Sequence, residues 1–286
     1  MTADLSALPD VDTTDGSDSP DDLGPELLAI IEAAIARHPR SLQDAPGPSD
    51  LGSPCARRIA YATTRTPKVN AGSAWLPAIG TAMHTQLDEW FAEHNTTTGQ
   101  SRFLLGAAFT LTVGAVAGQP ITGHGDLYDR ATQTVIDWKV VGKSTLDKYR
   151  KAGNQPTDGY RRQVHLYGRG WAARGLPVRN VALMFLPRNG LSVKWGAWWH
   201  EPYDEAVAID SLHRANRIHT LAATVGMTTA AAITAGRLRD IAAGHLADPD
   251  ADDDTPALPT ADDYCDGCPW WMPAATELSE ACPGHR

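Results

Sequence analysis

The segment that most constrains this chain is the β-like run 133–141, whose centre reads Ile136-Asp137-Trp138-Lys139-Val140. Alternate residues of a strand face the same way, so Asp137 and Lys139 project together while Ile136, Trp138 and Val140 face a core. Two more β-like runs precede it, near 103–116 and 121–129, and residues 179–187 and 191–200 alternate like a hairpin turned at Asn189-Gly190. Helical periodicity fills the rest. Leu27, Ile30, Ile31 and Ala34 space a helix over 24–37, and Met83, Leu87, Trp90 and Phe91 share a face over 78–94. Tyr160, Val164, Tyr167 and Trp171 line up over 159–174, and alanine-rich helices cover 203–243. Ser49-Asp50 caps a short helix carrying Cys55, Arg57 and Arg58. This order predicts an α/β fold, a mixed central β-sheet flanked by helices.

The chemistry gathers around the same run. Asp126, in Gly123-His124-Gly125-Asp126, lies on the preceding run, and pairing of the two strands can bring it beside Asp137. Two carboxylates suit a hard divalent cation such as Mg²⁺. A lysine beside them can orient or deprotonate a water and stabilise a phosphoryl oxyanion. The tripeptide Asp-x-Lys is common, however, and alone reads as a surface ion pair on an amphipathic strand. His84, on the helix ahead of the strands, is a candidate metal ligand, or a satisfied surface histidine. Gln163 and Tyr167, four apart on one helix, can hold a phosphate or position the lysine, or simply pack.

Charge is divided unevenly. The net charge is −9, but seven aspartates lie in 1–22 and seven in 244–263, neither segment holding a Lys or Arg. Without these 14, 25 basic residues face 20 acidic ones, a net of +5. Segment 139–188 is the basic part, with Tyr149, Tyr160 and Trp171 interleaved, a composition that suits phosphates and unpaired bases. The expected organisation is an acidic disordered tail over 1–23, a core over 24–243, an acidic linker over 244–263, and a cysteine-bearing segment over 264–286 that packs on the core. No apolar stretch reaches the roughly 18–20 residues of a membrane span, and the acidic N-terminus does not read as a signal peptide, so the expected compartment is the cytoplasm.

Cys265-x-x-Cys268 is followed by Cys282, and Cys55 lies more than two hundred residues earlier. Four cysteines suit either a tetrahedral zinc site or an iron–sulfur cluster, with His285 a spare ligand; a surface disulfide with two buried thiols is the remaining reading.

In this order the residues resemble the PD-(D/E)XK nuclease superfamily, in its RecB-like branch with four cysteines, which includes CRISPR-associated exonucleases and phage-encoded relatives. The elements are Cys55, His84, Gly123 with Asp126, Asp137 with Lys139, Gln163 with Tyr167, then Cys265, Cys268 and Cys282, and they span roughly Ser49 to the C-terminus. The resemblance implies a restriction-endonuclease-like core with a helical iron–sulfur lobe. It implies a [4Fe–4S] cluster on the four cysteines, stapling the C-terminal segment to the N-terminal helical region. It also implies a Mg²⁺- or Mn²⁺-dependent DNA exonuclease acting on single strands or ends in recombination, repair or phage DNA metabolism, with a recombinase or CRISPR-adaptation protein as partner. On this reading His84, Asp126, Asp137 and the Trp138 carbonyl hold metal, Lys139 activates water, and Gln163 and Tyr167 position the strand. Asp129, near Asp126, can share or contest the metal. The rival readings are a non-catalytic DNA-binding module of the same fold, a structural-zinc interaction protein, and an endonuclease or RNase.

Overall fold

The computed structural model describes residues 20–38, 43–70, 75–231 and 265–284. The acidic tail before residue 20, the linker 244–263 and His285 lie outside the described residues, as does the helix expected over 232–243. The chain divides into two units, Met1–Gln43 and Asp44–Arg286. In the first unit, helix α1 (Pro20–Arg37) begins four residues earlier than the periodicity of 24–37 suggests, so residues 20–23 are helical rather than part of a disordered tail.

The second unit is a mixed α/β fold. A five-stranded sheet is built from β1 (Phe103–Leu105), β4 (Leu127–Asp129), β5 (Thr134–Val141), β6 (Asn180–Pro187) and β7 (Ala197–Pro202), in the order β1-β4-β5-β6-β7. Only β5 and β6 run parallel. Their connection is long because parallel strands need a crossover; here it holds α5 (Lys143–Lys151) and α6 (Asp158–Ala173). β2 (Leu111–Val116) and β3 (Gln119–Gly123) form a separate two-stranded sheet. The run expected over 103–116 is therefore two strands in two sheets, broken by a 3-10 turn at Gly106–Ala108. The expected hairpin is present, but its return strand begins only at Ala197, after a 3-10 turn at Val193–Trp195.

β5 is covered on both faces. Ile136 and Trp138 lie in a cluster with Leu127, Ala182 and Leu186, onto which α4 (Trp75–Thr98) lays Leu87, Met83 and Phe91. Trp90 does not join that face; it is 53% exposed at the mouth of a cleft lined by His94, Arg102 and Phe103. The other face of β5 meets α6, whose Val164, Leu166 and Trp171 belong to the main core. Thr157 caps α6, accepting from the Tyr160 N–H at 3.5 Å.

The segment before residue 63 forms two helices rather than one. α2 (Pro48–Leu51) is closed by Asp50, whose carboxylate accepts from the Gly47 N–H at 3.1 Å. α3 (Ala56–Thr63) has Cys55 at its N-cap. The C-terminal segment is seated on α3 and the loop after it. Trp270 stacks on Tyr61 with centroids 5.9 Å apart and donates to the Thr66 carbonyl at 2.8 Å, and the Val69 and Asn70 N–H groups both reach the Pro269 carbonyl. α7 (Glu205–Val225) packs against α6 and α3. Among the described residues no helix is long and apolar enough to cross a membrane.

Candidate functional site

The β4–β5 register pairs Leu127 with Ile136, so Asp126 and Asp137 continue the same ladder. Asp126 is delivered by a close backbone crossing. The Gly106 N–H donates to the Asp126 carbonyl at 2.8 Å, and a Cβ on Gly106 would fall 1.2 Å from the Gly125 oxygen. Only glycine fits there. Gly123 is equally confined, because an added Cβ would stand 2.8 Å from Pro48 and 3.2 Å from the Tyr167 ring. Once in place, Asp126 accepts from the Trp138 N–H at 2.7 Å through Oδ2 and lies 2.9 Å from His84 Nδ1 through Oδ1.

Asp137 and Lys139 share the face of β5 that lies under α6. Asp137 is only 2% exposed, which removes the reading of a surface ion pair on a solvated strand. Lys139 Nζ lies 2.6 Å from Asp137 Oδ2, donates to Gln163 Oε1 at 2.9 Å, and stands 4.7 Å over the Tyr160 ring. The Gln163 amide reaches back to Asp137 Oδ1 at 3.4 Å. Beyond Lys139, Asp137 Oδ2 has no hydrogen-bond partner among the described residues.

The electrostatics follow from this burial. Burial pushes the Asp137 carboxyl up, Lys139 pulls it down, and the neighbouring Asp126 charge pushes it up again; the upward direction wins. For Lys139, burial pulls down, but Asp137, Tyr160 and Asp126 together hold it above its ordinary value. The lysine is therefore an ammonium ion in this arrangement. Asp88, one helical turn after His84, is raised by burial and by the Asp126 charge, with His84 opposing. Sequence reasoning missed Asp88, although its i,i+4 spacing from His84 on one helix was a usable signal.

His84 meets Asp126, and Asp137 meets Lys139 and Gln163, as two adjoining groups. Among the described residues no three His, Cys, Asp or Glu side chains are gathered closely enough to grip a metal ion as they stand. His84 lies against Asp126 Oδ1, and Lys139 against Asp137 Oδ2.

The structure bears on three expectations. Asp129 is taken up by Arg102. Arg102 donates to both its oxygens, at 2.8 and 2.9 Å, and that pairing holds the carboxyl down at about 2. Tyr167 is buried, with its ring against Gly123. The aromatic interleaving of 139–188 is not a base-stacking ladder, since Tyr149 and Trp171 are buried in the core and Tyr160 faces Lys139. Several of its arginines are paired as well, Arg161 with Glu201, Arg162 with Asp210 and Arg169 with Glu205. The α6 aromatics Tyr167 and Trp171 follow a packing period, and Tyr149 of α5 is buried in the same core.

The four cysteines are free thiols, so none forms a disulfide. Cys55 Sγ accepts from the Arg58 N–H at 3.5 Å. Burial raises the Cys268 thiol, and Cys55 and Cys282 add to the rise while Arg58 opposes it. Cys282 lies 3.9 Å from Arg57 Nη1, and Cys265 Sγ is 3.7 Å from the place a Cβ on Gly284 would take. The structure thus brings thiols from both ends of the second unit into one electrostatic neighbourhood beside two arginines.

No family model matches the chain, and no curated protein matches it. Among solved structures, it is similar to an alkaline exonuclease from Laribacter hongkongensis at 14% identity and a TM-score of 0.36, covering 69% of this chain and 97% of that one. It is similar to the protein SSO0001 at 15% identity and a TM-score of 0.36, covering 68% and 85%. The Laribacter enzyme in complex with dAMP gives 15% identity and a TM-score of 0.33, covering 70% and 97%. Likenesses this loose decide nothing about the chemistry of this chain.

Proposed function

We propose that this chain is a divalent-metal-dependent nuclease that hydrolyses phosphodiester bonds of DNA, as an exonuclease on single strands or ends. The observation that carries the reading is the buried Asp137–Lys139 pair, braced by Gln163 and adjoined by Asp126 with His84. A carboxylate sealed under a helix, with one oxygen held only by a lysine, is costly unless it serves a cation or a reaction.

The carboxylate oxygens fit Mg²⁺ or Mn²⁺, and the imidazole is the softer donor of the set. His84, Asp126 and Asp137 would hold the ion, with the Trp138 carbonyl as a further oxygen. Bound there, it would supply Lewis-acid stabilisation of a phosphoryl oxygen and an acidified water. The residues of the chain do the rest. Lys139, held as an ammonium ion, orients the attacking water and neutralises charge on the phosphoryl oxygens rather than acting first as a base. Gln163 fixes the Lys139 ammonium through Oε1. The His84 ring holds Asp126 in the rotamer that also engages the Trp138 N–H. Tyr167 acts through packing against Gly123.

Four free thiols, of which Cys268 interacts electrostatically with Cys55 and Cys282, are the donor chemistry of a four-thiolate group, although among the described residues they are not gathered closely enough to hold one as they stand. Cys55, Cys265, Cys268 and Cys282 would hold a [4Fe–4S] cluster, which would tie the C-terminal segment to α3. Iron and sulfide analysis of protein purified without air tests this, and stoichiometric zinc in a colourless preparation would replace the cluster with a structural zinc site.

The decisive assay is cleavage of end-labelled single-stranded DNA with Mn²⁺ by wild type and Lys139→Ala. Mononucleotide-scale products from wild type alone are expected. Equal cleavage by both proteins sinks the role given to Lys139. The ungathered metal ligands favour a second reading, a DNA-binding module without hydrolysis, and DNA binding with no products from wild type would select it.

A further inference from the structure

The loop between β6 and β7, residues 188–196, presents its apolar side chains to solvent. Leu191 is 94% exposed, Val193 64% and Trp195 47%. Apolar groups clustered in water mark an interaction surface more often than a structural need. This loop is nevertheless held rigidly. The Lys143 N–H donates to Asn189 Oδ1 at 3.1 Å, the Arg150 guanidinium donates to the Trp195 carbonyl, and the Lys194 N–H donates to Ser192 Oγ at 3.2 Å. The Gly196 N–H closes the turn on the Val193 carbonyl at 2.9 Å, and a Cβ on Gly196 would stand 2.7 Å from the Phe185 oxygen. The Trp195 backbone is therefore held before any ligand arrives, which lowers the ordering that binding requires.

Charge and position complete the picture. The loop is tied to the end of the Lys139 strand, since the Arg188 N–H donates to the Val141 carbonyl at 2.8 Å. Val141 is two residues beyond Lys139, about 7 Å along a strand. Helix α5 follows at once and braces the loop through Lys143 and Arg150. Together they carry Lys143, Lys148, Arg150, Lys151, Arg188 and Lys194 against a single acid, Asp147, which pairs with Lys143 at 2.5 Å and with Arg150 at 3.7 Å.

We propose that α5 and the 188–196 loop form a platform for a single-stranded nucleic acid, on which Trp195, flanked by Leu191 and Val193, stacks an unpaired base and the surrounding cations meet phosphates. An apolar loop alone would suit a protein partner, and a basic helix alone any polyanion. An aromatic face interleaved with cations matches the alternation of base and phosphate along a strand. The inference rests on the nuclease reading for its biological sense.

The test is fluorescence anisotropy of a labelled oligothymidine with the full chain in EDTA, where binding is read without cleavage. Trp195→Ala should weaken binding about 5- to 150-fold, the range of one missing base stack. The double variant Lys151→Ala, Lys194→Ala should flatten the dependence of affinity on salt by about 0.7 for each phosphate no longer neutralised. All three positions are solvent-facing, and Trp195→Phe, which keeps a stacking face, should retain most of the affinity. The platform is overturned by unchanged affinity in Trp195→Ala together with an unchanged salt slope in the lysine pair. It is also overturned if Trp195→Ala abolishes a self-association seen by sedimentation while DNA affinity stays the same. Trp195-dependent binding without any metal-dependent cleavage would sink the nuclease reading and leave the platform standing.

Discussion

Replacing Lys139 by alanine tests the burial argument through stability as well as activity. The substitution leaves the Asp137 carboxyl sealed under α6 without its cation, and breaking a buried pair in this way costs about 3–5 kcal/mol. The cost should depend on pH. In wild type Asp137 is already raised, to about 6, chiefly by burial. A carboxyl raised on folding favours the folded state while it is protonated, and that stability is lost as pH rises from the unfolded value toward and past the folded one. At pH 5 both proteins hold Asp137 protonated, so the deficit of the variant is small. Above about 6 wild type ionises Asp137 against Lys139, whereas the variant must keep the proton. Each pH unit then adds up to about 1.4 kcal/mol to the deficit, roughly 3 kcal/mol between pH 6 and pH 8. For a domain of this size that is about 6–12 °C in Tm. Urea and thermal unfolding in EDTA at pH 5, 6 and 8 measure it. A deficit of the same size at pH 5 and pH 8 would refute the reasoning. A double variant, Asp137→Asn with Lys139→Met, removes both charges and should recover stability while remaining inactive.

Other expectations concern the groups around this centre. Asp129→Asn should cost about 1–2 kcal/mol near neutral pH, since a half-exposed Arg102 screens part of the pairing. Because that carboxyl is lowered to about 2, the stability it supplies is lost as pH falls below its ordinary value of 3.8, so unfolding curves of variant and wild type should converge in acid while cleavage is untouched. Gln163→Leu should keep the fold and lower kcat by about 10- to 100-fold with KM little changed, because it frees the Lys139 ammonium without removing it; a change confined to KM would instead place Gln163 on the substrate. Tyr61→Phe removes the hydroxyl that donates to the Leu278 carbonyl at 2.6 Å, at a cost of about 1 kcal/mol, and should speed limited proteolysis within 265–284 before the rest of the chain is cut.

What the sequence revealed rests on period and adjacency. The alternation of Asp137 and Lys139 between Ile136, Trp138 and Val140 needed only the two-residue repeat of a strand, and the pairing of β4 with β5 needed only a short turn. The second cover over β5 was less accessible. Nothing local shows that the polar face of an alternating strand is roofed by a helix, so the surface and buried readings stayed open until α6 was placed. Trp90 stood in the apolar stripe of its helix yet lies at its edge, because the stripe is wider than the strip of sheet beneath it. Tyr149 and Trp171 looked like stacking residues among cations, whereas the exposed aromatic beside α5 is Trp195, in a segment that reads as plain β-hairpin. The Arg102–Asp129 pair depends on the register Phe103 to Asp129 across two strands, which no motif encodes.

The seating of Trp270 on Tyr61 has a consequence for how the protein is made. The two rings are separated by more than two hundred residues of chain, so on a ribosome adding about 5–20 residues per second, α3 emerges some 10–40 seconds before its partner exists. Throughout that interval the face that Trp270 will cover, and the Thr66 and Pro269 bonding that borders it, is unfinished. Contacts that close such long loops form late and slowly. A nascent chain of this protein therefore carries an open aromatic seat for most of its synthesis, and α3 is where a chaperone, or an aggregating neighbour, would find it.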